Sequence, residues 1–154
     1  MKKRHVSLIP LSHHHHHGLV VALKLQNARL ENGRWSIEEI RKDAKAFWEN
    51  GGNDHFREEE EVLFPAFSMF CDIEKVPEIA QALLEHVKIR AMFRQLIDGK
   101  VKNEIDFMHE LGHLFNHHIR MEERIIFPLI EEEVPDDILR EIGVHFDAHE
   151  EVYS

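Results

Sequence analysis

The stretch NHHIRMEERIIFP, residues 116–128, decides the fold, because most of it repeats an earlier stretch, DHFREEEEVLFP, at residues 54–65. In both copies a His is followed four residues later by a Glu and ten residues later by a Pro. Side chains four residues apart lie on one face of an α-helix, so each copy predicts a helix with a paired His and Glu. The matching positions are His55, Glu59 and Pro65 in the first copy and His118, Glu122 and Pro128 in the second.

The His and Glu of each copy fall in the apolar stripe of their predicted helix. Steps of seven residues from the two His reach Trp48, Val62, Leu111 and Ile125. Such a stripe faces the core, where an unpartnered carboxylate is costly and two facing carboxylates repel unless a cation lies between them. Either copy alone also fits a solvated Glu and a hydrogen-bonded core His. Two copies in matched register favour metal ligands.

The composition indicates one acidic domain. A chain of 154 residues is long enough for one hydrophobic core and short for two. The formal net charge of -10 argues against nucleic acids and anionic membranes as partners, because they carry charge of the same sign. Cys71 is the single Cys, and no apolar run near the N-terminus has the length of a signal peptide or a membrane span. We therefore expect a cytoplasmic protein.

Five consecutive His at residues 13–17 precede the apolar pattern of the first predicted helix. The run resembles a purification tag, but it continues without a linker into an amphipathic pattern, and we therefore interpret it as native. His16, Leu23 and Leu30 are spaced by sevens, so His16 is predicted to point inward most directly, with His15 as the alternative. The other three His are expected at the surface or behind the ligands.

Boundary signals divide the chain into long helices. Ser12 is predicted to cap the first helix, and Ser36, with a Glu three residues later, to cap the second. Adjacent glycines at residues 51–52 predict an interruption or a kink in the second helix. Pro77 and Gly99 predict the start and the end of the third.

A third candidate His lies on the apolar face of the third helix. Steps of seven residues from His86 reach Ile79 and Phe93, and the fourth helix carries the second copy of the repeat. No segment predicts a strand. The sequence therefore predicts an all-α fold, an antiparallel up-and-down four-helix bundle with a short C-terminal fifth helix at residues 135–150, as a single domain over residues 1–154.

The candidate ligands are four imidazoles and two carboxylates, with one His from each long helix. This donor set suits iron or manganese, and zinc less specifically. Two metal ions, each held by two His and bridged by both Glu, use every ligand, whereas one ion leaves ligands idle. The predicted metal ligands are His16 or His15, His55, Glu59, His86, His118 and Glu122.

The segments LSHHHHHGL, HFREEEEVLFP, LLEHVKIR and HHIRMEERIIFP resemble the hemerythrin-like family in its variant with H, HxxxE, H and HxxxE ligands on four helices. The resemblance spans nearly the whole chain and implies a bundle that binds a non-heme di-iron centre and interacts with oxygen or related diatomic molecules. It implies the same six ligands. Oxygen-carrying hemerythrins have a second His on the third helix where this chain has Arg90, which leaves one ligand fewer.

Three functions follow from these observations as hypotheses. The first is a protein that senses, carries or buffers oxygen, nitric oxide or iron without turnover. The second is a di-iron enzyme that acts on peroxide or nitric oxide, or supplies iron for iron-sulfur cluster repair. The third is a structural or interaction bundle whose polar stripe is a hydrogen-bonded network. A homodimer is a further hypothesis, based on four apolar or aromatic residues in or near the predicted loops and the tail, Phe67, Met69, Phe70 and Tyr153.

Overall fold

The computed structural model describes residues 3–30 and 33–148, and all regular structure in these ranges is helical. The predicted all-α class is thus confirmed. None of the helices in these ranges is both long and apolar enough to cross a membrane. The helices are α1 (Ile9–Gln26), α2 (Ile37–Phe47), α3 (Asn53–Glu58), α4 (Phe64–Ser68), α5 (Pro77–Ile97), α6 (Glu104–Met121), α7 (Phe127–Glu133) and α8 (Asp136–Ala148), with short 3₁₀ turns at Val6–Leu8 and Ile73–Lys75.

Several helix ends follow the predicted signals. Ser36 caps α2 by accepting a hydrogen bond from the Glu39 amide, α5 begins at Pro77, and Gly99 adopts a positive φ of 69° just after α5. The predicted cap at Ser12 is wrong. Helix α1 begins earlier, at Ile9, and the Ser12 hydroxyl instead donates to the Glu123 carboxylate.

The structure contains four long helices, of which the first is α1 and the third is α5. The second and fourth are each assembled from shorter helices joined by wide π turns. The second spans residues 37–68 with π turns at Trp48–Gly52 and Glu59–Leu63, and the fourth spans residues 104–133 with one at Glu122–Ile126. Gly51 has a φ of 158° inside the first of these turns, which locates the kink predicted from the adjacent glycines.

The other two π turns begin at the Glu of each sequence repeat. The Glu59 carbonyl accepts a hydrogen bond from the amide five residues later, and so does the Glu122 carbonyl. A Pro follows one residue after each donor, and a Pro ring clashes with the carbonyl four residues before it in a regular helix. The wider turn is consistent with this clash and lets the helix continue past Pro65 and Pro128.

These π turns shift the buried face by one residue, which corrects part of the predicted stripe. Steps of seven residues predicted Val62 and Ile125 as inward positions. Instead Leu63 and Ile126 are fully buried, while Ile125 is 46% exposed. Each π turn inserts one extra residue into the helical repeat, so a regular spacing of seven fails beyond it.

Two glycines allow α1 and α6 to pack closely. A Cβ added at Gly112 would lie 2.8 Å from the Ala22 carbonyl oxygen, and one added at Gly18 would lie 2.9 Å from Ile119 Cδ1. Any larger side chain at Gly112 would push against backbone of α1. This close approach brings the His run of α1 next to the second sequence repeat.

The core consists of two apolar clusters and a layer of buried polar side chains. Each of the four long helices contributes to both clusters and carries its buried polar residues close to the change from one cluster to the other. The first cluster includes Leu11, Leu63, Ala82 and Ile126, and the second includes Ala22, Phe56, Ile89 and Ile119.

Candidate metal centre

Six buried donor residues form the centre of the polar layer. Four are His, one from each long helix, and we call them the inner His. Two are Glu, one from each sequence repeat, and we call them the inner Glu. All six are at most 5% exposed. The inner His are His15, His55, His86 and His118, and the inner Glu are Glu59 and Glu122.

One group of four, half A, combines His15 and His55 with the inner Glu. His55 Nε2 lies 3.1 Å from Glu59 Oε2. His15 Nε2 lies 3.1 Å from Glu122 Oε1 and 3.9 Å from Glu59 Oε2. One donor atom from each of the four lies within 4.8 Å of all the others, which is close enough to hold a metal ion.

A second group of four, half B, combines His86 and His118 with the same inner Glu. His86 Nε2 lies 3.1 Å from Glu59 Oε1 and 3.7 Å from Glu122 Oε2. His118 Nε2 lies 3.5 Å from Glu122 Oε2. Their donor atoms also lie within 4.8 Å of one another. Halves A and B therefore share both carboxylates and differ in their imidazoles.

Several inward-facing atoms make no hydrogen bond with any residue the structure describes, although they are fully buried. Burying polar atoms without partners costs free energy, and native proteins rarely leave them in this state. Carboxylate oxygens and Nε2 atoms that face one another without hydrogen-bond geometry are instead the arrangement that a shared cation would satisfy. These atoms are Glu59 Oε1, His86 Nε2, His118 Nε2 and both carboxylate oxygens of Glu122.

The outward ring nitrogen of each inner His contacts another side chain, and we call these four side chains the outer residues. Each contact joins the Nδ1 atom to the outer residue, which orients the ring so that Nε2 faces the inner Glu. Three of the outer residues are carboxylates and one is an imidazole. The pairs are His15 with Glu123 at 2.6 Å, His55 with His14 at 2.9 Å, His86 with Glu60 at 2.7 Å, and His118 with Glu85 at 2.8 Å.

Without a cation, the inner Glu draw protons onto the imidazoles. Burial lowers the pKa of His15, but the adjacent carboxylates of Glu122 and Glu123 outweigh burial and raise that pKa to about 10. His86 follows the same pattern, with burial opposed by neighbouring carboxylates and a pKa of about 11. Burial and the charge of Glu122 raise the pKa of Glu59. The Glu122 pKa stays well below its usual range despite burial, because charged His surround it.

In the His run of α1, the structure places His15 and not His16 in the polar layer. His15 is 5% exposed and belongs to half A, whereas His16 is exposed, so the prediction that His16 points inward most directly is wrong. Leu23 and Leu30, which set the predicted register, are themselves 50% and 49% exposed. The buried stripe of α1 contains Leu11, His15, Gly18, Ala22 and Leu25, and its steps of four and three residues select His15.

Arg90 stands one turn after His86 and contacts an outer residue instead of an inner Glu. Its guanidinium lies 3.2 Å from Glu60 and donates a hydrogen bond to the Asn53 side chain at 2.8 Å. The guanidinium carbon also lies 5.7 Å from the centroid of the Phe56 ring. Arg90 thus pairs with Glu60, the residue next to the inner Glu59.

A small cavity adjoins half A. Its volume of about 10 Å³ is enough for roughly one molecule the size of water. His14, His15 and His55 contribute its polar wall, and the rest is glycine, phenylalanine and isoleucine. The ring of His14 stacks on Phe47 at 4.8 Å. The space suits a very small molecule and excludes a large substrate.

The outer carboxylates were not predicted from the sequence, although each of them is adjacent in the sequence to a predicted ligand. Glu60 and Glu123 are the second Glu of each HxxxEE copy, and Glu85 directly precedes His86. His14 directly precedes His15 in the same way, and it was expected only as one of three surface or supporting His.

One comparison with known proteins identifies the family. The family model described as the hemerythrin HHE cation binding domain matches residues 6–130, which include all six inner residues and all four outer residues. Searches of curated proteins and of solved structures gave no match. Since the matched segment covers most of the chain, this protein belongs to the hemerythrin HHE cation-binding domain family.

Proposed function

We propose that the protein binds two iron ions in a non-heme centre and uses them to sense, carry or buffer oxygen, nitric oxide or iron. The observation that carries this proposal is the pair of four-residue donor groups that share Glu59 and Glu122. In this proposal the imidazoles of half A hold one ion and those of half B hold the other. The inner Glu contribute to both.

The chemistry of the donor set supports a cation and narrows its kind. Two buried carboxylates that face each other repel, and two divalent metal ions would compensate their negative charge. Imidazole and carboxylate donors without thiolates suit iron or manganese, with zinc also possible. Bound iron would supply a redox-active centre for a diatomic molecule. The side chains orient the ions and exclude water.

The cavity beside half A supports a small ligand. It has room for roughly one water-sized molecule, and most of its wall is apolar. Four apolar side chains, Phe47, Phe56, Phe115 and Ile119, limit its size. We therefore propose oxygen or nitric oxide as the ligand class.

We also propose that the four long helices run up and down in antiparallel order within one domain. Support comes from the order in which each helix meets the two apolar clusters. α1 contributes Leu11 to the first cluster before Ala22 to the second, whereas the second long helix contributes Phe56 to the second cluster before Leu63 to the first. α5 repeats the order of α1, and the fourth long helix repeats that of the second.

A cytoplasmic location and a homodimer remain proposals that follow from the sequence. The single Cys suits a reducing compartment. Leu84 and Val87 on α5 are 55% and 63% exposed, and Met69 is 76% exposed. Sedimentation of the purified protein tests the dimer, since a monomer at micromolar concentration would contradict it.

Metal analysis tests the proposed function. Protein produced in iron-replete cells should contain about two irons per chain and show an optical spectrum that changes when oxygen or nitric oxide is added. Glu59→Ala and Glu122→Ala should lose most of this iron. Glu61→Ala is the matched control, because Glu61 lies on the same helix but is exposed and pairs with Arg57. Wild-type iron content in both inner variants would refute the ligand assignment.

The second candidate function is a di-iron enzyme, and His14 favours it. His14 is an imidazole in the cavity wall that is not in either donor group, so it is placed to contact a bound molecule. Steady consumption of peroxide or nitric oxide by the iron-loaded protein, or transfer of its iron to a depleted iron-sulfur protein, would support the enzyme. A stable spectrum with bound ligand and no product would support the carrier or sensor.

A further inference from the structure

We propose that the two halves of the centre are not equivalent, and that half B fills first and holds its metal ion more tightly than half A. This inference rests on the proposed function, because it presumes that both halves bind a cation. It is carried by the outer residues, which differ between the halves in one respect.

The sequence repeat relates the two halves by an approximate internal symmetry. In each HxxxEE copy the first Glu is an inner Glu, and the second Glu bonds to the inner His of a different helix. Glu60 contacts His86 on α5, and Glu123 contacts His15 on α1. One imidazole in each half is therefore supported by a carboxylate from the repeat.

These two outer carboxylates also each pair with an Arg, although Glu123 accepts a further hydrogen bond from the Ser12 hydroxyl. Glu60 lies 3.2 Å from the Arg90 guanidinium, and Glu123 lies 3.3 Å from that of Arg4. The exposed fractions of the two carboxylate side chains are 26% and 27%. Since both are similarly neutralised and similarly exposed, they do not distinguish half A from half B.

The symmetry breaks at the residue that precedes the single inner His of α1 and α5. On α5 this residue is Glu85, which accepts a hydrogen bond from His118 Nδ1 at 2.8 Å. On α1 it is His14, whose Nδ1 lies 2.9 Å from His55 Nδ1. The second imidazole of half B is thus supported by a carboxylate, and that of half A by another imidazole.

A carboxylate and an imidazole affect the supported ring differently. For His55 to bind a cation through Nε2, its proton must sit on Nδ1 and be donated to His14 Nδ1. A negatively charged acceptor polarises the donor ring and makes its free nitrogen a better ligand, whereas a neutral imidazole does so less. His118 should therefore be a stronger ligand than His55.

The position of the cavity agrees with this difference. The cavity touches His15 and His55 of half A and neither imidazole of half B. A more weakly held ion in half A would lie beside this cavity, which gives it room to exchange. We therefore assign metal exchange to half A, and Glu60, Glu85 and Glu123 become positioning residues.

The test is a stepwise zinc titration of metal-free wild-type protein, followed by nitrogen-15 NMR of the His rings. The Nε2 signals of His86 and His118 should shift at the first equivalent, and those of His15 and His55 only at the second. If His15 and His55 shift first, or all four shift together, the inference is refuted while the two-metal function stands. If fewer than two equivalents bind, both are refuted.

Variants of Glu85 and His14 give a second test. Glu85→Gln keeps the size of the side chain and should weaken the tighter step by about 10 to 100-fold in a chelator competition. Glu61→Gln, on an exposed surface, should change neither step. The exchange His14→Glu with Glu85→His should reverse the order in which the rings shift. An unchanged tighter step in Glu85→Gln would overturn the assignment.

Discussion

Metal loading should depend steeply on pH, because the imidazoles must give up protons to bind a cation. In metal-free protein the pKa of His15 is raised to about 10 and that of His86 to about 11, so both rings are charged at pH 7. Binding through Nε2 displaces one proton from each. His118 and Glu59, whose pKa values are also raised, add to the release. About two or more protons should therefore leave per filled centre.

The displaced protons set the size of the pH effect. Each adds a factor of about ten per pH unit to the overall loading constant, so two give about a hundredfold per unit between pH 6 and pH 8. Affinity falls as pH falls, because protons compete for the same nitrogens.

The metal-free protein should show the opposite trend in its free energy of unfolding. A His whose folded pKa lies above its unfolded value of about 6.5 stabilises the fold below that pH. For His15 and His86 this stabilisation is lost as pH rises toward 10 and 11. Metal-free protein should therefore lose stability above about pH 7, in the range where metal loading improves.

Calorimetry measures the proton release directly. Zinc is titrated into metal-free protein at pH 7 in several buffers with different ionisation enthalpies, and the slope of the observed enthalpy gives the number of protons. His16→Ala serves as the control and should leave the slope unchanged, since His16 is exposed. A slope of less than one proton for the filled centre would refute the reasoning.

Three further substitutions separate the roles of neighbouring residues. His15→Ala should lower bound iron by at least half in metal analysis, while His16→Ala should not; equal losses would contradict the correction on α1. Gly112→Ala should destabilise the protein by about 1–3 kcal/mol in urea unfolding, because the new Cβ meets the Ala22 backbone, and a more stable variant would show that α1 can shift. Ile119→Val should cost about 0.5–1.5 kcal/mol and speed ligand release by enlarging the cavity; unchanged release kinetics would exclude this wall from the ligand path.

Much of the candidate site was predictable because the ligands recur at a helical spacing. In each copy of the repeat the His and the Glu are one helical turn apart, so they share a face even though the helix changes to a π turn after them. His86 was found by the same reasoning, since its neighbours at seven-residue steps, Ile79 and Phe93, are buried as predicted.

The remainder depended on features that a regular helix does not contain. The π turns at Glu59 and Glu122 displace the buried face by one residue, and a spacing rule has no means to include the extra residue. In the His run, every position offers the same side chain, so the choice depended on apolar neighbours. Leu23 and Leu30 gave the wrong register because both are exposed. The buried face of α1 is instead marked by Leu11 and Gly18.

The outer residues required three-dimensional information. Glu60 and Glu123 act on His from other helices, so no local spacing links them to their partners. Glu85 and His14 occupy equivalent positions on α5 and α1. This equivalence is visible only in the structure, where each contacts the Nδ1 atom of an inner His.

Anomalous diffraction from crystals of the iron-loaded protein tests the central claim most directly. We predict two iron peaks per chain, both within bonding distance of Glu59 and Glu122, one beside His15 and His55 and the other beside His86 and His118. A single peak, or iron bound away from the two carboxylates, would contradict it.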